Sequence, residues 1–197
     1  LPGVENYSKG VKEMGQLDKF TLDRGESILL VIDIQERLVP PMKYGKQVIK
    51  KTNILLSIAE DLGIPVIVTE QYPQGLGKTV PEVNIGSEAA IFAKTTFSAC
   101  TEEVLSELER LGRKKIIITG METHVCVFQT ARDLLALGYQ VFVVEDAVCS
   151  RTKENFRNAL SLMSQMGAVV TSTELVFFDL MKEADTPEFR KLSHLIK

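Results

Sequence analysis

Six short apolar runs constrain this chain more than any other feature, and all but the second, which a long Gly/Pro loop from Glu70 to about Ser87 follows, lead into a stretch whose apolar residues recur every three to four positions. The first is Ile28-Leu29-Leu30-Val31-Ile32-Asp33, and the others cover 65–69, 89–93, 115–119, 140–145 and 168–171. Rich in Val and Ile and almost free of polar interruption, such runs read as strands buried on both faces of a parallel sheet. The spacing between them predicts helices. One covers about 44–62, with Val48, Leu55, Ala59 and Leu62 on one face, and Gly63 and Pro65 stop it. A second starts at Thr101, carries Val104, Leu105, Leu108 and Leu111, and ends at Gly112. A third presents Val127, Phe128, Ala131, Leu134 and Leu135 and ends at Gly138, and Thr152 can cap a fourth that closes at Gly167. Further helices are expected near 173–181 and 187–196. This alternation predicts an α/β fold of three layers, with a doubly wound, six-stranded parallel sheet between helices. Residues 27–197 are read as a single domain, and the polar, Gly-spaced residues 1–26 as an N-terminal arm.

Composition narrows the function. A net charge of −3 provides no electrostatic footprint for nucleic acid or anionic membrane. No apolar run approaches the ~18 residues of a membrane span. Three cysteines, an odd number without paired spacing, argue against a disulfide framework and for a reducing, cytoplasmic setting. The run Leu175-Val176-Phe177-Phe178 suggests a subunit interface, and a homo-oligomer, dimer or tetramer, is expected.

Several motifs can be set aside. The loop Gln35-Glu36-Arg37-Leu38-Val39-Pro40 lacks the glycines that let a backbone approach a dinucleotide pyrophosphate. Gly77-Lys78-Thr79 imitates a phosphate loop, which would need glycine where Tyr72 stands. His124 and His194 are the only histidines, too few for a three-histidine zinc site, and there is no Gly-x-Ser-x-Gly elbow. No cofactor and no metal are expected, and the anticipated partner is a small-molecule substrate.

Cys126 stands apart from Cys100 and Cys149. It follows a buried strand and a glycine, in Gly120-Met121-Glu122-Thr123-His124-Val125-Cys126-Val127, and enters the first turn of a helix. There, unpaired N–H groups favour a thiolate and can hold an oxyanion. The plainer reading is inert packing, because free cysteine is among the most buried residue types. In a doubly wound sheet of order 3-2-1-4-5-6 the crevice opens between the carboxyl ends of strands one and four. Asp33 ends strand one, Lys94 ends strand three, and Cys126 follows strand four, so the three would meet at one mouth. An Asp–Lys pair alone would more often be a strand-end ion pair.

Asp33-x-Gln35, Lys94 followed by Phe97-Ser98, and Gly120-x-x-Thr123-x-x-Cys126-Val127 together resemble the isochorismatase-like family of cysteine hydrolases, over about residues 28–181. Thr69-Glu70-Gln71-Tyr72-Pro73 and the 120–126 stretch are similar to its isochorismatase-domain-containing subgroup. The resemblance implies an Asp–Lys–Cys triad acting on amides and related C–N bonds. Asp33 would take the thiol proton, Lys94 would stabilise the thiolate, and Cys126 would attack the carbonyl carbon. A thiol pKa lowered from roughly 8.5 toward neutrality is expected from the cation and the helix start. The resemblance also implies a non-proline cis peptide at Glu122–Thr123, aiming amides at an oxyanion.

Gln35, Glu122, Thr123, His124, Val125, Tyr72 and Phe97 are the candidate substrate-binding or oxyanion residues. Each has a plainer alternative. Gln35 either ties a loop or fixes Asp33, His124 can be a capping residue, and Tyr72 and Phe97 can be packing. Nicotinamide-deaminating relatives carry a metal site where this chain has Glu70, Gln71 and Tyr72, and true isochorismatases replace the cysteine by glycine. A metal-independent cysteine hydrolase of a small amide or carbamoyl compound is expected. The alternative is a silent binding or scaffold protein, or a thiol redox sensor.

Overall fold

The computed structural model describes residues 17–196. The N-terminal arm therefore lies mostly outside the described residues. Its last part forms a short 3-10 turn at Asp18–Phe20, where the sequence shows no sustained period. Buried Lys115 fastens that turn to the amino edge of the sheet, donating to the Thr21 carbonyl at 2.9 Å and pairing with Asp18 and Glu26.

Six strands form the sheet: β1 (Ser27–Ile32), β2 (Val66–Gln71), β3 (Ala90–Lys94), β4 (Lys115–Met121), β5 (Gln140–Cys149) and β6 (Val169–Thr171). Their order is β3-β2-β1-β4-β5-β6, and every neighbouring pair is parallel. The helices are α1 (Gly45–Leu62), the short α2 (Pro73–Leu76), α3 (Glu102–Leu111), α4 (Phe128–Ala136), α5 (Lys153–Gln165), α6 (Thr173–Met181) and α7 (Pro187–Leu192).

The sheet divides the core in two. Leu29 and Val31 of β1 join α1, α6 and α7 through Val48, Leu55, Phe177 and Leu192. Ile28, Leu30 and Ile32 join α3, α4 and α5 through Leu108, Ala131, Leu134 and Met163. Alternate residues of one strand thus serve opposite cores, which is why the strand reads as an unbroken apolar run. The expected cap forms, with Thr152 Oγ1 accepting from Asn155 N at 3.3 Å, and Thr101 Oγ1 likewise accepts from Val104 N at 3.4 Å.

Strand ends differ from the sequence reading where polar residues continue the ladder. β2 runs on through Glu70 to Gln71, and β4 runs on to Met121. β5 reaches Cys149 rather than stopping at Glu145. Its register with β4 slips between Ile118 and Gly120, then resumes with Gly120 opposite Val148 and Met121 opposite Cys149. Thr119 Oγ1 donates to the Ala147 carbonyl at 2.7 Å across the slip. The charged pair Glu145-Asp146 is carried on the irregular part of β5, a break in apolar character that conceals its continuation.

Candidate active site

Asp33 is the first residue past β1, and its backbone is left-handed, with φ 52. That conformation costs a non-glycine residue about 1–3 kcal/mol, and Asp tolerates it better than most. The turn directs a fully buried carboxylate back over the sheet edge. Oδ1 accepts from Thr69 Oγ1 at 2.7 Å, and Oδ2 accepts from Lys94 Nζ at 2.7 Å.

Lys94 is the last residue of β3, and its ammonium is as buried as the carboxylate it meets. It also donates to Gln71 Oε1 at 2.6 Å and points at the carbonyls of Thr96 and Phe97 at 3.2 and 3.1 Å. Two buried opposite charges hold each other only when their remaining donors and acceptors are satisfied, and here they are.

Cys126 lies in a π-helical turn, Thr123–Val127, that precedes α4, not in the first turn of the α-helix. A Gly120 backbone at φ 125 and the Val127 N–H donating to the Glu122 carbonyl at 3.2 Å shape that approach. The thiol is buried at 5% exposure, beside Asp33 and Lys94. Its pKa corrects the expectation of a thiolate. Burial pushes it up to about 12, the Asp33 carboxylate adds to the rise, and Lys94 only partly opposes them. The cation is already matched by Asp33, so it has little left with which to stabilise sulfur. Together these influences favour the protonated thiol over the thiolate. Its pKa does not single it out, since burial also raises Cys149 to about 12 and Cys100 to about 11. Its neighbours do.

The structure thus brings Asp33, Lys94 and Cys126 to one sheet edge, on three separate strand ends. The other candidates divide. Gln35 is a loop tie, donating to the Gln71 and Gly77 carbonyls at 2.9 and 2.6 Å and accepting from Gln71 N at 2.7 Å. Thr123 is fully buried, and its Oγ1 has no hydrogen-bond partner among the described residues. Val125 packs against the α3–α5 core. Glu122 and His124 turn toward the loop after β5: Glu122 Oε2 accepts from Arg151 N and Nε at 3.0 and 3.1 Å, and His124 Nδ1 lies 2.9 Å from Ser150 Oγ. Tyr72 and Phe97 are exposed at 53% and 55%, so neither ring forms a wall within this chain. The cis peptide is Met121–Glu122, one residue earlier than expected, where β4 ends beyond its anticipated boundary.

Sequence reasoning missed Thr69, Gln71 and Thr130. Thr69 and Gln71 orient the two charges, and Thr130 Oγ1 donates to the Cys126 carbonyl at 2.6 Å while accepting from Ala99 N at 2.8 Å. The available signal was polar residues at the carboxyl end of an apolar strand. Glu70 is engaged elsewhere, accepting from Thr79 N and Oγ1 at 2.7 and 2.9 Å.

Comparison with known proteins agrees with this fold. A family model described as the isochorismatase domain matches residues 27–175. Isochorismatase domain-containing protein 1 of Salmo salar is 40% identical over 172 residues, 87% of this chain and 61% of that protein, so the chain spans less than two thirds of that relative. A structure of MAR1 ribonuclease from Caenorhabditis elegans superposes with a TM-score of 0.85 at 39% identity, covering 89% of this chain and 92% of that one. YcaC from Pseudomonas aeruginosa, solved with hexane-2,5-diol and covalent acrylamide, superposes with a TM-score of 0.79 at 26% identity, over 89% and 95% of the two chains. Sheet order, the relatives and the domain match lead to one assignment: the chain belongs to the isochorismatase-like hydrolase family.

Proposed function

We propose that this protein hydrolyses a C–N bond of a small amide, carbamoyl or ureido compound through a thioester on Cys126. The observation that carries the reading is the buried meeting of Asp33, Lys94 and Cys126. An ion pair with no exposure is a costly way to tie two strand ends, and a thiol beside it gives the carboxylate a proton to accept.

A thiol raised to about 12 cannot act as a preformed thiolate. The S–H proton passes to Asp33 as Sγ bonds to the carbonyl carbon, and the carbonyl electron pair moves onto oxygen. Collapse of the tetrahedral species breaks the C–N bond, and Asp33 returns the proton to the departing nitrogen. Water then attacks the thioester, its proton going to Asp33, and the C–S bond breaks as sulfur recovers that proton. Lys94 pairs with the Asp33 carboxylate at rest, and while Asp33 holds the proton its ammonium offsets the negative charge that has moved to the carbonyl oxygen. The unpartnered Thr123 hydroxyl is a group that a substrate oxygen would satisfy, and leaving it bare costs about 1–3 kcal/mol. Covalent acrylamide in the Pseudomonas YcaC structure supports a nucleophile within the family. The redox-sensor alternative is disfavoured, because sensor thiols are exposed and acidic.

The test is ammonia release from a panel of small primary amides, carbamates and ureas. Cys126→Ala is expected to abolish turnover, by about 10³-fold or more, and mass spectrometry after acid quench should find the acyl group on the Cys126 peptide. Turnover that survives Cys126→Ala ends the proposal. RNA offered in the same assay should stay intact, and Cys126-dependent cleavage of RNA would replace the amide reading. Only thiolate is alkylated, so iodoacetamide labelling of Cys126 should climb about tenfold per pH unit from pH ~7 to ~10 with no plateau. A plateau near neutrality would show a thiolate at rest and remove Asp33 as base.

Leu175 and Phe178 on α6, exposed at 62% and 48%, support self-association. Sedimentation velocity should find more than one chain per particle, and a single-chain species would refute it. No helix among the described residues is long and apolar enough to cross a membrane. We place the activity in the cytoplasm on the strength of the unpaired thiols.

A further inference from the structure

A cavity of about 400 Å³ lies at the amino ends of β2 and β3, between the last turn of α1 and the 84–89 connection. The triad gathers at the opposite, carboxyl end of the sheet. Five residue steps of β2, from Val66 at the cavity to Gln71 beside Lys94, span roughly 16 Å of extended chain. The volume falls within the range that small-molecule sites occupy. Buried Leu56 and Ile64 form its floor, with Val66 beside them. Its outer lip is pinned to α1, because Asn53 Nδ2 donates to the Glu82 carbonyl at 2.8 Å and Asn53 Oδ1 accepts from Asn84 N at 2.9 Å.

Two charged residues line the cavity, and both are acidic: Glu60 in the last turn of α1, and Glu88 just before β3. Neither takes part in an ion pair among the described residues. The cations in the neighbourhood are committed elsewhere. Lys191, which feels Glu60, bonds to Asp61 Oδ1 at 2.7 Å, and Arg113 spends its guanidinium on the carbonyls of Arg24, Ser27 and Gly63. The negative pole of the α1 dipole falls at the same end of the helix and adds to the attraction for a cation.

We propose that this cavity binds a small primary amine with an apolar body, taken as its ammonium ion. The ammonium would donate to Glu60 and Glu88 and to the Asn84 side-chain oxygen, and the body would lie on Leu56, Ile64 and Val66. The apolar part is needed, because two exposed carboxylates alone hold a hydrated cation only weakly. Hydrolysis of a substituted amide at Cys126 would release an amine of this kind, so the triad is the competing location for it.

The experiment is calorimetric titration of the full chain with phenethylamine at neutral pH, using phenylethanol, methylamine and phenylacetate as comparisons. Phenethylamine is expected to bind with a Kd of about 1 mM or tighter, and each comparison at least roughly tenfold more weakly. Glu60→Gln/Glu88→Gln, which alters exposed side chains only, should weaken phenethylamine binding by roughly tenfold or more. Cys126→Ala protein should bind it as the unaltered chain does. Absence of phenethylamine binding, equal binding of any comparison, an unaffected double variant, or loss of binding in Cys126→Ala would each overturn the proposal. The last would assign the amine to the triad.

Discussion

Lys94→Met should lower the free energy of unfolding by about 3–5 kcal/mol, a Tm drop of roughly 6–20 °C for a chain of this size. Methionine nearly fills the volume, so packing is not the cause. The variant strands the Asp33 carboxylate at zero exposure with only the neutral Thr69 hydroxyl and Cys126 thiol left beside it, and Gln71 Oε1 loses its ammonium partner. The companion double variant Asp33→Asn/Lys94→Met removes the charge as well, and asparagine accepts the left-handed backbone at residue 33 about as readily as aspartate. It should recover more than half of the loss while remaining inactive. Urea denaturation of the four proteins closes the cycle. A loss under about 1 kcal/mol in Lys94→Met, or no recovery in the double variant, would mean that the pair is not shielded from water as drawn.

Gly120→Ala should be at least as damaging, for a reason of space. Gly120 sits at φ 125 where β4 passes β1, and a Cβ there would lie 2.0 Å from the Ile32 carbonyl oxygen and 2.7 Å from its carbon. These are backbone atoms of a central strand, paired with β2 on one side and β4 on the other, and they cannot swing aside as a side-chain tip can. Loss of about 4–5 kcal/mol or more is expected, together with displacement of Asp33 and of the turn that carries Cys126. Gly63→Ala is the control. Gly63 has φ 63 but open space around it, so it should cost only the strain, about 1 kcal/mol. Thermal melts of the two variants check this, and equal effects would remove the close strand approach as the explanation.

Much of the architecture could be read along the chain. The continuous Val/Ile runs require burial on both faces, helical-period stretches require a sheet to lie on, and short connections between them admit few topologies. What misled the reading were places where a polar residue is satisfied inside the structure. Glu145-Asp146 hid the second half of β5, and Glu70-Gln71 hid the end of β2. Asp33, Lys94 and Cys126 could be named because each is a chemically distinctive residue at a strand end. Thr69 and Gln71 could not, because their side chains gain meaning from partners 36 and 23 residues away, and Thr130 could not, because its hydroxyl joins the Cys126 carbonyl to Ala99 N, 31 residues distant.

By itself, the amino-acid order determined the layers, the direction of the strands and the residues available for chemistry, all consequences of local periodicity. Tertiary structure alone decided which way the Cys126 pKa moves. A cation and a helix start within reach would favour a thiolate if solvent remained. Once folding withdraws water and Asp33 claims Lys94, the desolvation cost of a sulfur anion exceeds what is left of that attraction, and the thiol keeps its proton.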